Sequence, residues 1–285
     1  MPIGCDGFID NGVIFWNEPD TRGWAACGLE VEAPSIQHAG AGELNELHRR
    51  LVLMLSTIKR PDRMQILWTV NTDFSVALEH YRRETEKLAI NEWSKFNREE
   101  RYNRYFRRMQ ERTLRRERLR IFFSTPIKAN PPPMAVTSES FESHYRNLVS
   151  LYVNYFGTLA NALQASIGEN FIVRRLDSME LVKALDEFIN PSHKDLLEYD
   201  PFTKYDLNKS ILENLLNGEW DARDQDGAKA DYGIWRDGHY EQILVAKMWA
   251  QNVSPDIMQR LTNMPFLDYS ITVNIEPLEV QQEIH

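Results

Sequence analysis

The amino-acid sequence predicts a mixed α+β chain: two small, mostly antiparallel sheets with packed helices, linked by a long basic helix. Three observations lead there. Short segments of strand chemistry are interleaved with longer ones whose apolar residues recur every three or four positions. Pro, Gly and Asp-Gly punctuation separates these segments. One stretch, Ser94 to Arg120, holds 11 Lys/Arg against 4 Asp/Glu, a local balance of +7 in a chain of net charge −9.

The elements follow in order. Gly12 to Trp16 and Trp24 to Val31 read as strands joined through the turn-rich Pro19–Gly23. A helix spans about Gly42 to Ile58, because Leu44, Leu47, Leu51, Met54, Leu55 and Ile58 fall on one stripe that should be buried, and Pro61 stops it. Met64 to Val70 is a strand, and Asp73 is placed to cap a helix reaching Leu88. The basic helix comes next. At 100° per residue, Tyr102, Tyr105, Phe106, Met109 and Thr113 share one side, while Arg98, Arg101, Arg104, Arg108, Arg112 and Arg115 form a stripe about a quarter-turn away. Leu119 to Thr125 is a strand, and Pro131-Pro132-Pro133 marks a loop. Ser138 opens a helix that runs from about Ser140 to Ser166 and ends at Gly168. Phe171 to Val173 is a short strand, and Asp177 caps a helix that Asn190-Pro191 closes. Tyr232 to Trp235 and Tyr240 to Met248 pair around Asp237-Gly238. A short helix starts near Ser254-Pro255 and ends before Pro265. Tyr269 to Ile275 alternates apolar and polar residues, as a half-buried strand does. The chain therefore divides into a first α/β unit over 1–92, the basic helix over 93–118 and a second α/β unit over 119–285.

With 285 residues, 42% apolar and 31 aromatic, the chain can bury one large core or two small ones, which excludes collagen-like, low-complexity and disordered classes. The two cysteines, Cys5 and Cys27, form neither a disulfide framework nor a zinc pattern, and Cys27 reads as core; a reduced, intracellular setting is expected. Met1-Pro2-Ile3-Gly4 with early acids does not read as a signal peptide. No apolar run approaches bilayer-spanning length, so any membrane association should be peripheral or through a partner.

Chemical motifs are conspicuous by absence. The sequence holds no phosphate-cradling Gly-x-x-x-x-Gly-Lys, no Gly-x-Gly-x-x-Gly, no His-Glu-x-x-His and no Gly-x-Ser-x-Gly. Arg223–Gly227 resembles the middle of an EF-hand loop, but Ala222 and Gly233 occupy two principal ligand positions, so no metal is expected. His38, His48, His80, His144, His193, His239 and His285 lack ligand spacing. Carboxylates such as Glu198 and Asp200 are two among 42 acids and single out no acid–base pair.

The Arg ladder stands apart. Only Glu99, Glu100, Glu111 and Glu117 lie within it, too few to neutralise it. An acidic protein surface, on this chain or another, is the first partner it implies, and anionic phospholipid the second. Nucleic acid comes last, because the remainder of the chain carries −16.

Four segments in order carry a family likeness: Gln65–Asp73, a strand running into a helix; Arg101–Arg120, Arg-rich and followed by a strand; Val173–Asp177 leading to Phe188-Ile189-Asn190-Pro191; and Gly238–Trp249 followed by Leu267–Pro277. Together they resemble the N-terminal region of the conjugative-transfer ATPases of type IV secretion systems. The resemblance implies a docking part that meets inner-membrane subunits, followed by a RecA-like motor. This chain is then the N-terminal docking and assembly domain at the cytoplasmic face of the inner membrane. It would be non-catalytic, without cofactor, with ATP expected only in a downstream motor beyond His285. Its partners would be inner-membrane secretion subunits and further copies of itself. The contact residues expected are Arg101, Arg104, Arg108, Arg112, Arg115 and Arg116. Two alternatives remain: a nucleic-acid-binding accessory protein using the same ladder, and an enzyme with a carboxylate site in residues 191–231.

Overall fold

The computed structural model describes residues 3–9, 12–17, 22–32, 40–127, 138–167, 171–190, 203, 206, 209, 211–216, 220–221, 233–236, 239–241 and 268–277. Strands β1 (Ile3–Ile9), β2 (Gly12–Asn17) and β3 (Arg22–Glu32) form an antiparallel run. Helix α1 (Ala41–Ser56) precedes β4 (Arg63–Asn71), and two helices follow, α2 (Ser75–Glu86) and α3 (Glu92–Gln110). Strand β5 (Arg116–Pro126), the long helix α4 (Ser138–Ile167), β6 (Ile172–Arg175) and α5 (Ser178–Ile189) come next. The remaining described elements are α6 (Ile211–Leu215), the short strands β7 (Trp220–Asp221), β8 (Ile234–Arg236) and β9 (His239–Glu241), and β10 (Tyr269–Ile275).

The fold class is α+β, and the described residues form two antiparallel sheets. Their membership differs from the division at the basic helix. A seven-stranded sheet runs β1-β2-β3-β5-β4-β10, with β6 also on β3, and a three-stranded sheet holds β7-β8-β9. Strand β5, from beyond the basic helix, lies between β3 and β4, which precede it. Residues 1–92 and 119–285 therefore build one sheet together. The reason is pairing: β5 matches β3 along Trp24–Val31 on one side and β4 along Arg63–Asn71 on the other, which makes it a central strand.

One face of the large sheet packs on α1 and α4. Ala25, Cys27, Leu29 and Val31 of β3, Met64 of β4, and Ile121 and Phe123 of β5 meet Met54, Ile58, Tyr152, Phe156, Leu163 and Ile167. The other face packs on α5 and α6, where Ala26 and Phe122 meet Leu181, Val182, Ile189, Ile211 and Leu215. Gly28 permits the close approach of α5, since a Cβ there would stand 2.7 Å from Leu181 Cδ1 and 2.9 Å from Leu176 Cδ1. Local signals hold at α5, where Asp177 Oδ1 accepts from Glu180 N at 2.7 Å and Glu180 Oε2 accepts from Asp177 N at 3.0 Å. The α1 stripe is buried only in part: Met54 and Ile58 are covered, but Leu51 and Leu55 are exposed. Asp73 accepts from Ser75 N at 2.9 Å, while Phe74 holds the cap position of α2. The predicted Pro131–Pro133 loop and the helix near 254–265 lie outside the described residues, as does most of 191–231.

Helices α2 and α3 form an arm. They sit between two strands that pair directly, Asn71 with Arg116 at the arm's base, and their principal contacts are with each other. Replacing residues 73–114 by a four-residue turn should leave a folded sheet, unfolding cooperatively with a melting temperature within about 5 °C of the parent. A non-cooperative product in differential scanning calorimetry would show that the arm belongs to the core.

Candidate functional site

The arm is held together by part of the predicted stripe, Tyr102, Phe106 and Met109, whereas Tyr105 and Thr113 of the same stripe are exposed. Tyr102 and Phe106 stack with centroids 6.0 Å apart, and the Arg82 guanidinium of α2 lies 5.0 Å from the Tyr102 ring centroid. Arg98 Nη1 donates to the Arg82 carbonyl at 3.0 Å, Arg82 pairs with Glu99 at 3.6 Å, and the Phe74 N–H donates to Met109 Sδ at 3.3 Å. The N-terminus of α3 is closed by Asn91, whose Oδ1 accepts from Ser94 N at 2.8 Å.

The six expected contact arginines do not share one helix. Arg101, Arg104 and Arg108 lie on α3, are exposed, and make no ion pair among the described residues. They span about 10 Å along the axis. Arg112 lies past the helix end with φ 55°, in the left-handed region. There the Arg108 carbonyl accepts from Thr113 N at 2.9 Å and Leu114 N at 3.2 Å, closing the last turn. Arg115 is a half-buried connecting residue, and Arg116 opens β5. The ladder breaks because β5 must be extended to pair with β4 from Arg116 onward, so the helix stops at Gln110 although Arg favours its continuation.

The period then changes from 3.6 to 2, which sends the next two cations inward. Arg118 and Arg120 alternate with Leu119 and Ile121 and point at α5. Arg118 Nη1 stands 2.9 Å from Glu187 Oε2 and 3.0 Å from Oε1, and Arg120 Nη2 stands 2.9 Å from Oε2. Burial alone would raise the Glu187 pKa; the Arg120 and Arg118 charges outweigh it and hold the carboxyl below the usual glutamate value. Beside it, the fully buried Asp186 accepts from Asn190 Nδ2 at 2.7 Å, and the same amide donates to the Leu215 carbonyl.

At the far end of the arm the surface is apolar. Leu88 is 73% exposed, Ile90 92%, Trp93 75% and Phe96 63%. Trp93 lies nine residues before Tyr102, half a turn around α3, so it faces away from α2. Sequence reasoning placed the working face on the arginines and missed this tip. The signal was present: Trp93 and Phe96 are three residues apart, a pair that the Tyr102 stripe cannot bury. Lys87 and Lys95 flank the tip in exposed pairs with Glu84 and Glu92.

No protein-family model matches this chain, and no curated protein matches it. Its reading rests on the residues themselves.

Other chemistry is sparse among the described residues. No group of three His, Cys, Asp or Glu side chains could hold a metal ion, and no helix is long and apolar enough to cross a membrane. Cys27 is buried, and burial pushes its thiol up to about 12, far from a thiolate nucleophile. A cleft of about 510 Å³ opens between α5 and the β4–β10 edge, lined by Gln65, Leu67, Thr272, Leu185 and Phe188, without a convergent titratable cluster.

The Glu187 pair makes a prediction with a definite sign. A carboxyl whose pKa is depressed by folding contributes stability above the unfolded value, and that contribution disappears as pH falls through the folded one. Urea unfolding should therefore show an acid limb below about pH 5 that Glu187→Gln flattens. At pH 7 the same substitution should cost about 3 kcal/mol, because two largely buried guanidinium groups lose their counter-ion.

Proposed function

We propose that this chain is a non-catalytic docking and assembly domain, and that the α2–α3 arm is its contact element. The observation that carries the reading is the arm itself. It leaves the sheet between two adjacent strands, presents Arg101, Arg104 and Arg108 outward without internal neutralisation among the described residues, and ends in an uncovered apolar tip. An arm with no packing duty toward the core, but with cations and apolar groups turned outward, is suited to grip a second surface. The remainder of the chain is acidic, which favours an anionic protein face or anionic headgroups as the arm's partner and keeps the body away from it.

The four ordered segments that resemble the N-terminal region of type IV secretion ATPases give the partner: inner-membrane subunits of a conjugative DNA-transfer apparatus, met at the cytoplasmic face. In that setting the domain would hold a motor in place, and nucleotide chemistry would belong to a separate RecA-like domain. Sequence supports this division, since no phosphate loop occurs in the 285 residues. The contact set is narrower than the ladder: Arg101, Arg104 and Arg108 with Trp93 and Phe96 carry it, while Arg112, Arg115 and Arg116 serve the turn and the strand.

The test is recruitment of the full chain to inner-membrane vesicles with and without secretion subunits. Arg101→Glu/Arg104→Glu/Arg108→Glu should lower bound protein about tenfold or more, at roughly 0.5–1 kcal/mol per exposed charge, with unchanged circular dichroism. Equal recruitment of variant and parent would remove the arm as the contact element. Equal binding to vesicles lacking the subunits would remove the secretion reading. Tight binding to DNA with a steep salt dependence would favour a nucleic-acid accessory role instead.

A further inference from the structure

The ends of the large sheet are finished in different ways. Strand β1 carries a register shift between Cys5 and Gly7 and contains Gly4, Asp6 and Gly7 among its seven residues. Strand β6 is four residues long and ends in Arg174 and Arg175. Bulges, charges and short length are the devices by which sheet edges avoid pairing with other chains. Strand β10 has none of them. Tyr269-Ser270-Ile271-Thr272-Val273-Asn274-Ile275 contains no charge, no Gly and no Pro, and it pairs with β4 over all seven residues without a shift. Among the described residues no strand pairs with its outer side. Val273 is 45% exposed, an apolar β-branched residue left half-covered at the margin of the face that packs on α1 and α4.

The strand is also symmetric in its chemistry about Thr272. Turned antiparallel to itself around that residue, it sets Ile271 opposite Val273, Ser270 opposite Asn274, and Tyr269 opposite Ile275. Directly opposed residues share a face, so apolar meets apolar on one side and hydroxyl meets amide on the other, in combinations that stabilise antiparallel pairs. The flanking acids, Asp268 and Glu276, would oppose one another. Each is held within its own chain: Asp268 Oδ1 accepts from Thr72 N at 2.6 Å and Thr72 Oγ1 at 2.8 Å, and Glu276 pairs with Arg63 at 3.1 Å.

From this we infer that β10 pairs with β10 of a second copy of the chain, across a two-fold axis at Thr272, joining the two seven-stranded sheets edge to edge. The inference is independent of the arm and of the secretion reading. The second copy is the occupant because β10's own sequence matches it position for position without a charge to bury. Pairing would cover Val273 with Ile271 of the second copy and satisfy the outward-facing backbone groups.

Sedimentation equilibrium of the full chain, from about 1 to 100 μM, tests it. The parent should shift from one chain mass, 33.4 kDa, toward twice that value. Thr272→Lys, at an exposed position, brings two ammonium groups together at the axis and should weaken association at least tenfold while leaving the circular dichroism unchanged. In a Cys5→Ser background, Thr272→Cys should cross-link into a dimer under mild oxidation, since a residue on the axis faces its own copy within disulfide reach. Ser270→Cys, which faces Asn274, should cross-link far less. A parent that stays monomeric throughout, a Thr272→Lys variant that associates like the parent, or cross-linking at Ser270→Cys in place of Thr272→Cys would each overturn the inference.

Discussion

The pairing of β4 with β5 is the constraint on which the rest depends. Nine residues of each strand, Arg63–Asn71 and Arg116–Ser124, run opposite one another without a shift in register. That ladder closes over the whole of the arm, and closing so long an excursion costs little more entropy than closing a short one. It must be repaid by burial, and it is: β5 contributes Ile121 and Phe123 to one core and Phe122 to the other. Once the two strands are zipped, the base of the arm is fixed, β10 has a partner in β4, and α5 has a flat surface to cover.

The same pairing sorts the positive charge. Read along the chain, the run from Ser94 to Arg120 is continuous, but it crosses from a helix to a strand. On α3 the 3.6 period turns Tyr102, Phe106 and Met109 toward α2 and leaves Arg101, Arg104 and Arg108 in water. On β5 the period of two turns Arg118 and Arg120 onto α5, where Glu187 takes both. The inward cations work as a structural clamp whose loss is costly, because each is largely removed from water. The outward ones contribute little to folding, since exposed charges are screened, and so remain available for contact with something else.

Two surfaces thus have different characters. The arm presents exposed cations and aromatic rings, whereas β10 presents the backbone of a strand at the end of the sheet. They meet at the arm's base, where Asp268 accepts from Thr72 and Tyr269 pairs with Val70. An antiparallel pair of β10 strands would send the two arms from opposite ends of the joined sheet, so each would meet its own partner surface. Anchoring and self-association would then use separate parts of one small fold.

Local chemistry was enough to read several elements. The Asp177 capping box, the alternation that bounds β10, the helix from Ser138 and the inward stripe at Tyr102 and Phe106 all follow from rules that act within a few residues. The sequence reading missed β1, whose Gly4 and Gly7 carry weak strand propensity and which is a strand because β2 supplies its hydrogen bonds. It also carried the basic helix to residue 118, since nothing local in Arg112–Arg118 opposes a helix. Chain-local periodicity determined the class, the helix faces and which arginines could lie on one side of α3. Strand partners lie far apart in sequence, and their pairing alone decided that one sheet joins both halves of the chain, that the helix ends with Arg112 in the left-handed region, and that Glu187 neutralises Arg118 and Arg120 while the Leu88–Phe96 tip stays in water.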